Sequence, residues 1–289
     1  MELLQILVSG IAQGCVYGLI ALGFVLIYKA TEIVNFAQGD MMMLGAFTAL
    51  SFIGFMGLDY WIGFFFAILS MAAFGYLLDK FILRYVIGQP QFAIVILTIS
   101  LGFIFRALAG IFWGHEPMSF VTPFTNQIVE VGGVVIAQES LSIIVGTVLL
   151  AGLLYLFFTH TKLGVAMQAS SQNQLAAYYM GIPVKMVFSL IWAISAGVST
   201  VAGVLLSPIS LIDAEMGFMG IKAFAAAVVG GFGSLPGALL GGAIIGVSEQ
   251  MAGAYLPAGF KQITAFVIML AVLTLRPQGL FAQIQRKKV

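Results

Sequence analysis

The sequence predicts an all-α polytopic membrane protein with about eight membrane segments. Three observations predict it. Of 289 residues, 61% are hydrophobic and only 8% are charged, against about 25% charged in a soluble domain. The mean hydropathy is +1.10, and the apolar residues fall into runs near the roughly 20 that cross a hydrocarbon core of about 30 Å. The 34 glycines suit close helix–helix approach in lipid. The same composition excludes other classes. So little charge rules out a disordered chain. A formal net charge of +1 without a basic patch excludes a nucleic-acid partner. The single cysteine, Cys15, excludes an internal disulfide scaffold. The whole chain, 1–289, reads as one transmembrane domain.

The expected segments are 4–28, 36–57, 61–79, 91–113, 141–159, 187–209, 219–252 and 261–276. Met1-Glu2 supplies no basic flank and the apolar run continues to Tyr28, so the first segment is expected to be a retained helix rather than a signal peptide. Breaks fall at Asp59, at Gly88-Gln89-Pro90, at 114–140, at 159–185 and at Pro257. With the N-terminus outside, Lys29, Lys80, Arg84, Lys162 and Lys185 fall inside. The stretch 114–140 then falls outside and contains no Lys or Arg, as the positive-inside rule requires. Two further single crossings would leave Arg276, Arg286, Lys287 and Lys288 outside. The segment 219–252 is therefore expected to be two helices around the break Gly230–Gly237, which holds Pro236. That break reads either as a tight turn near one surface or as a pathway-lining element packed inside the protein, with Gly231 and Gly233 as candidates. This topology places the C-terminus in the cytoplasm, and leaves Lys222 and Lys261 outside.

Glycines recur at i, i+4, i+8 as Gly10, Gly14 and Gly18, and again as Gly237/Gly241 and Gly242/Gly246, a spacing that packs helices internally or against a second subunit. Polar residues inside the apolar runs are few. Asn35, Gln38 and Asp40 precede a Met-rich helix that Asp40 is placed to cap, and this helix start is a candidate for the pathway lining. Arg106 shares a face with Thr98 and Gly102; it reads as a snorkelling or ion-paired structural charge, or as part of the pathway. Asp213 and Glu215, between Pro208 and Gly217, read as a solvated outer loop. Gly132-Gly133 between β-branched runs predicts a small outer hairpin over 128–136.

Enzyme chemistry finds no support. The phosphate-cradling pattern of a P-loop does not occur, and no Cys/His cluster supports a metal site. His115 and His160 fall on opposite sides of the membrane. No catalytic residues and no bound cofactor are expected. The inner stretch 160–186 has more to say. Asn173 is placed to cap a short helix to Met180, with Gly181 as its stop and Pro183 beyond. Ala176, Tyr179 and Met180 share one small, uncharged face, suited to a groove on another protein or to the membrane surface.

Ala176-Ala177-x-x-x-Gly181 resembles the Glu-Ala-Ala-x-x-x-Gly loop by which ABC importer permeases dock their ATPases, with Leu175 where that pattern has Glu. The stretch Asn35–Phe47 resembles the early signature, and Lys222–Gly242 the late signature, of branched-chain amino acid permeases of the LivH type. The resemblance covers essentially the whole chain. It implies one of two paired permease subunits in a bacterial inner membrane, with the N-terminus periplasmic. Its implied partners are a homologous second permease, a periplasmic binding protein delivering leucine, isoleucine or valine, and two ATPases that carry ATP and Mg. Asn173, Ala176, Ala177, Tyr179, Met180 and Gly181 would then couple to the ATPase. Urea and short-amide permeases carry similar signatures. An ion-coupled secondary amino-acid transporter, a channel and a non-transporting scaffold are the rival classes; the first would need coupling carboxylates or histidines in the membrane, for which Asp40 is the candidate.

Overall fold

The structure is a computed structural model, and it describes residues 2–86, 89–125, 127–131 and 134–281. The expected positions Met1, Gly88, Gly132, Gly133, Arg286, Lys287 and Lys288 lie outside the described residues. Eleven α-helices are described: α1 (Glu2–Thr31), α2 (Gln38–Leu50), α3 (Tyr60–Phe81), α4 (Gln91–Trp113), α5 (Gln138–His160), α6 (Lys162–Gln172), α7 (Gln174–Tyr179), α8 (Val184–Leu206), α9 (Met219–Gly230), α10 (Leu235–Tyr255) and α11 (Phe260–Leu275). Among the described residues, five are long and apolar enough to cross a bilayer, α1, α3, α4, α5 and α8, and α9 with α10 forms a pair bent by 119°. The expected polytopic architecture is borne out, including the two-helix reading of 219–252.

The core is α1 and α8, the two spans most enclosed by the rest of the protein. The glycine stripes explain the tightest contact. Added at Gly14, a Cβ would lie 2.6 Å from the Gly242 carbonyl oxygen, and at Gly10 it would lie 2.8 Å from the Val247 Cα. Gly18 meets Leu239, so α1 and α10 run antiparallel with backbone against backbone. The stripe is internal packing, which lets dispersion act over the whole seam in a solvent that supplies no hydrophobic drive between helices.

Peripheral α4 is held differently. Its exposed face carries Phe92, Ile96, Phe103, Ile111 and Phe112. Three polar contacts fasten it along the length of α2: the Phe36 N–H donates to Thr98 Oγ1 at 3.2 Å, Arg106 pairs with Asp40, and Trp113 Nε1 donates to Ser51 Oγ at 2.8 Å. Ser51 opens a π-helical turn, Ser51–Phe55, that continues α2.

Two strands, β1 (Ile128–Val131) and β2 (Val134–Ala137), pair antiparallel with Val131 opposite Val134. The expected hairpin is therefore present as a strand pair. It sits at the N-terminal end of α1, where Gln5 Nε2 donates to the Val135 carbonyl at 3.2 Å. At the other end of α1, Tyr28 packs on Phe232 with ring centroids 4.9 Å apart, and the Leu280 N–H donates to the Val229 carbonyl at 2.9 Å. From Gln5 to Tyr28 is 23 residues, roughly 35 Å of helix. The hairpin and the start of the C-terminal tail thus lie at opposite ends of the bundle.

Three expectations need correction. The stretch 160–186 is not a loop with one short helix: α6 precedes α7, its first turn capped by Thr161 Oγ1 accepting from the Gly164 N–H at 3.0 Å. The segment 36–57 starts its helix only at Gln38, inside the bundle. Of the two readings of the glycine break, inside packing holds for Gly231 alone: the break is a tight turn at the α7 end of the bundle, level with Tyr28. Gly231 has φ +96° and is buried, but Gly233 is exposed and a Cβ there would meet nothing within 4 Å.

Candidate functional site

Irregular backbone at depth occurs elsewhere. After α1 ends, residues 32–37 turn back into the bundle, and Gln38 arrives beside Gly23, eight residues or roughly 12 Å up α1 from Thr31. Residues 207–218 descend from the opposite end, starting with the backbone bridge between Met118 and Ile212. They bring Gly217 against Asp40 and Gly220 against Gly39. Two half-helices, α2 and α9, therefore begin against each other inside the bundle. Unpaired backbone is tolerated at that depth only where protein or water covers it.

A buried polar chain anchors the first half-helix. Asn35 Oδ1 accepts from the Ala37 N–H at 3.1 Å, and Asn35 Nδ2 donates to Gln38 Oε1 at 3.1 Å. Gln38 Nε2 donates to Ser195 Oγ at 3.0 Å and to Ser199 Oγ at 2.5 Å. Ser195 Oγ in turn donates to the Gly23 carbonyl at 3.1 Å. Asn35 and Gln38 are fully buried, so these pathway candidates spend their hydrogen bonds tying α2 to α1 and α8.

Asp40 does not cap α2, because it lies inside the first turn; the N-cap position is Ala37, whose side chain has nothing to donate or accept. Asp40 instead receives Arg106 Nε at 2.5 Å on Oδ1 and Nη2 at 3.4 Å on Oδ2. The guanidinium also stacks on Phe218, 3.8 Å from its ring centroid, which adds a cation–π attraction. Gly102 and Gly217 flank the carboxylate so closely that a Cβ on either would strike it. Arg106 is thus ion-paired, and it joins α4, α2 and the start of α9.

A second charged cluster escaped the sequence reading. Glu249 in α10 is almost fully buried; it accepts from the Tyr17 hydroxyl at 2.8 Å and pairs with Lys222 of α9 at 2.9 Å. Lys222 was expected outside the membrane, and the structure places it within the bundle. Glu249 was missed because the glycine pattern of 235–255 drew attention away from it, although a carboxylate inside an apolar run is itself the signal. Tyr17 and Lys222 border a cavity of about 290 Å³ that is also lined by Ser210, Asp213, Glu215, Met216, Phe218 and Met219. Asp213 and Glu215 lie in a loop as expected, Asp213 half-buried and Glu215 exposed, and that loop borders the recess.

At the end of the bundle where α1 finishes, α7 is built as its residues suggest. Asn173 Oδ1 accepts from the Ala176 N–H at 2.9 Å. The helix closes with Gly181 N–H to the Tyr178 carbonyl and Ile182 N–H to the Ala177 carbonyl, both 3.0 Å, a Schellman cap with Gly181 at φ +83°. Ala177 is buried against the chain, while Leu175, Ala176, Tyr178, Tyr179 and Met180 are exposed. Ala177 seats the helix, and the other five present its outer face. Gln174 Nε2 donates to the Ala30 carbonyl at 3.5 Å, which links α7 to the C-terminal end of α1.

This architecture defines a multi-pass membrane protein with two half-helices meeting inside it and an elbow of short helices at one end. Its fold is similar to a chain of PsaBC from Streptococcus pneumoniae, solved in complex with Fab, with a TM-score of 0.51 over 96% of this chain and 93% of that one at 19% identity. The chain belongs to the family described as branched-chain amino acid transport system / permease component, whose profile matches residues 6–273. It is 31% identical to the high-affinity branched-chain amino acid transport system permease protein LivH of Salmonella typhimurium, covering 99% of this chain and 97% of that protein. It is 32% identical to the corresponding permease protein BraD of Pseudomonas aeruginosa, covering 99% and 98%.

Proposed function

We propose that this chain is a membrane subunit of an ATP-driven importer that carries branched-chain amino acids into the cell. The observation that carries the reading is similarity along almost the entire chain to permeases named for that transport. The chain itself performs no chemistry in this reading; ATP and Mg belong to two partner ATPases. A second permease completes the pair, and a periplasmic binding protein delivers the solute. Leu175, Ala176, Tyr179 and Met180, exposed on α7, would enter a groove on the ATPase, with Asn173 and Gly181 fixing the helix and Ala177 seating it. Movement of α7 would reach α1 through Gln174 and α8 through the short link at Ile182 and Pro183. Lys29, Arg84, Lys162 and Lys185 cluster at the α7 end, which favours placing that end in the cytoplasm and the N-terminus in the periplasm.

The test is uptake into proteoliposomes holding this chain, its partner permease, the ATPases and the binding protein. Leucine uptake that requires ATP on the ATPase side supports the reading. Uptake driven by an ion gradient without ATP, or uptake of urea or short amides in place of leucine, overturns it.

A further inference from the structure

The recess beside Lys222 has a lining that the ion pair alone does not explain. Glu249 neutralises Lys222, yet Asp213 and Glu215 line the same 290 Å³. Among the described residues, neither of those carboxylates forms an ion pair. The lining is therefore bipolar, with one ammonium and two spare carboxylates. Its geometry is fixed from behind. Glu249 is 1% exposed and held by Tyr17, so it positions the Lys222 ammonium while engaging only part of a group with three donors. Asp213 Oδ1 accepts from the N–H groups of Glu215 and Met216 at 2.9 and 2.8 Å, which orients that carboxylate and leaves its second oxygen. Between the charges lie the side chains of Met216, Phe218 and Met219, an adaptable apolar wall. The volume is at the small end of ligand pockets, which begin near 300 Å³. Asp213 is half-buried and Glu215 exposed, so the recess is open, and its charged side chains face water or a solute rather than acyl chains.

We propose that this recess is a transit site for the zwitterion of a small apolar amino acid. Lys222 receives the α-carboxylate, Asp213 and Glu215 face the α-ammonium, and Met216, Phe218 and Met219 take the branched side chain. Glu249 and Tyr17 are positioning residues, holding Lys222 in place. The inference rests on the amino-acid importer reading above, and it adds where within this chain the solute pauses.

The experiment compares leucine uptake with ATP hydrolysis in the reconstituted complete importer, and reads uptake per ATP hydrolysed. For Lys222→Met this ratio is expected to fall at least tenfold. For Asp213→Asn with Glu215→Gln, which keeps the Asp213 acceptor and removes both charges, it is expected to fall at least fivefold. Because Lys222→Met leaves Glu249 buried without a cation, Lys222→Met with Glu249→Gln is read in parallel and is expected to match it. A structural lock at this position lowers uptake and hydrolysis in step; an unchanged ratio in the Asp213/Glu215 variant and in either Lys222 variant overturns the transit site. Absence of ATP-dependent leucine uptake by the unmodified complex strikes the importer reading instead, so the two failures are distinguishable.

Discussion

The junction of α2 with α9 and the end of the bundle around α7 and the 231–234 turn are both built from glycines and polar side chains, yet they close in opposite ways. At the junction the polar side chains are enclosed: Asp40 lies between Gly102, Gly217 and Arg106, and Gln38 is bonded to Asn35, Ser195 and Ser199. At the α7 end glycines and polar side chains face open space. Gly181 and Gly233 have nothing within 4 Å of a would-be Cβ, and Tyr178, Tyr179 and Met180 are exposed. The difference follows from the solvent. Inside the bundle an unsatisfied polar group costs several kcal/mol, so Asn35, Gln38 and Asp40 are each matched by other groups of the chain. At the surface water or a partner does the matching, so residues there are free to serve recognition.

The largest effect is expected where the enclosed charge loses its partner. Arg106→Leu leaves Asp40 buried and ionised or forces its protonation; breaking such a pair costs about 3–5 kcal/mol. Arg106 is 20% exposed, so the lower end of that range applies. The measurement is the yield of folded protein and its melting temperature in detergent. Arg106→Leu with Asp40→Leu should recover most of the loss, because it removes both charges. Full stability in the single variant would mean that water reaches the junction, and the contrast with the α7 end would collapse.

A smaller effect at depth is expected from Tyr17→Phe. It removes one hydrogen bond to a charged, buried group, about 1.5–3 kcal/mol, while the Lys222–Glu249 pair remains to limit the loss. Thermal melting should drop by a few degrees, and by less than for Arg106→Leu. An equal or larger drop would show that Tyr17, rather than Lys222, is the principal partner of Glu249.

Much of the fold was legible because lipid imposes one rule, that apolar runs of about 20 residues become helices. The span 91–113 coincides with α4 at both ends, and the positive-inside argument correctly demanded two helices from 219–252. The cap at Asn173 and the stop at Gly181 were legible because each is a local backbone requirement. What could not be read was pairing over long sequence distances. Asp40 and Arg106 are 66 residues apart, and Tyr17 and Glu249 are 232 apart. A sequence marks each as unusual without saying which one answers which. The depth of the glycine break stayed open between two readings for a related reason. Its composition fits a turn at any depth, and only the antiparallel register of α1 with α10 puts it at the end of the bundle.

Gly181→Val tests the surface side of the contrast. The backbone at φ +83° disfavours a β-branched residue by about 1–2 kcal/mol, but nothing crowds the site. Insertion and melting temperature should stay within a few degrees of the original. If α7 docks the ATPase, ATP-dependent uptake should fall several-fold, because the helix stop and the placement of Tyr179 and Met180 depend on that turn. Unaltered uptake would remove α7 from the coupling path.

The smallest effect is expected at one of two neighbours within one turn, Gly231→Ala and Gly233→Ala. Gly231 holds φ +96°, and the tail crosses directly over it: the ideal Cβ position of Gly279 lies 2.5 Å from the Gly231 Cα. The N–H groups of Leu280 and Phe281 donate to the carbonyls of Val229 and Gly230, so the tail satisfies acceptors that the end of α9 leaves open. An alanine at 231 would have to hold φ +96° with ψ +122°, a sparsely populated region that costs about 1–3 kcal/mol, and it pushes on this clasp. At 233 the chain is exposed, and its φ lies outside the positive range that favours glycine. Alanine there should change melting temperature by less than one degree, with uptake at the original rate. Limited proteolysis of the C-terminal tail is the sensitive readout: faster cleavage is expected for Gly231→Ala, and none beyond the original for Gly233→Ala. Equal behaviour of the two variants would mean that the tail does not hold the end of α9, and that this turn is as unconstrained as the open space around Gly233.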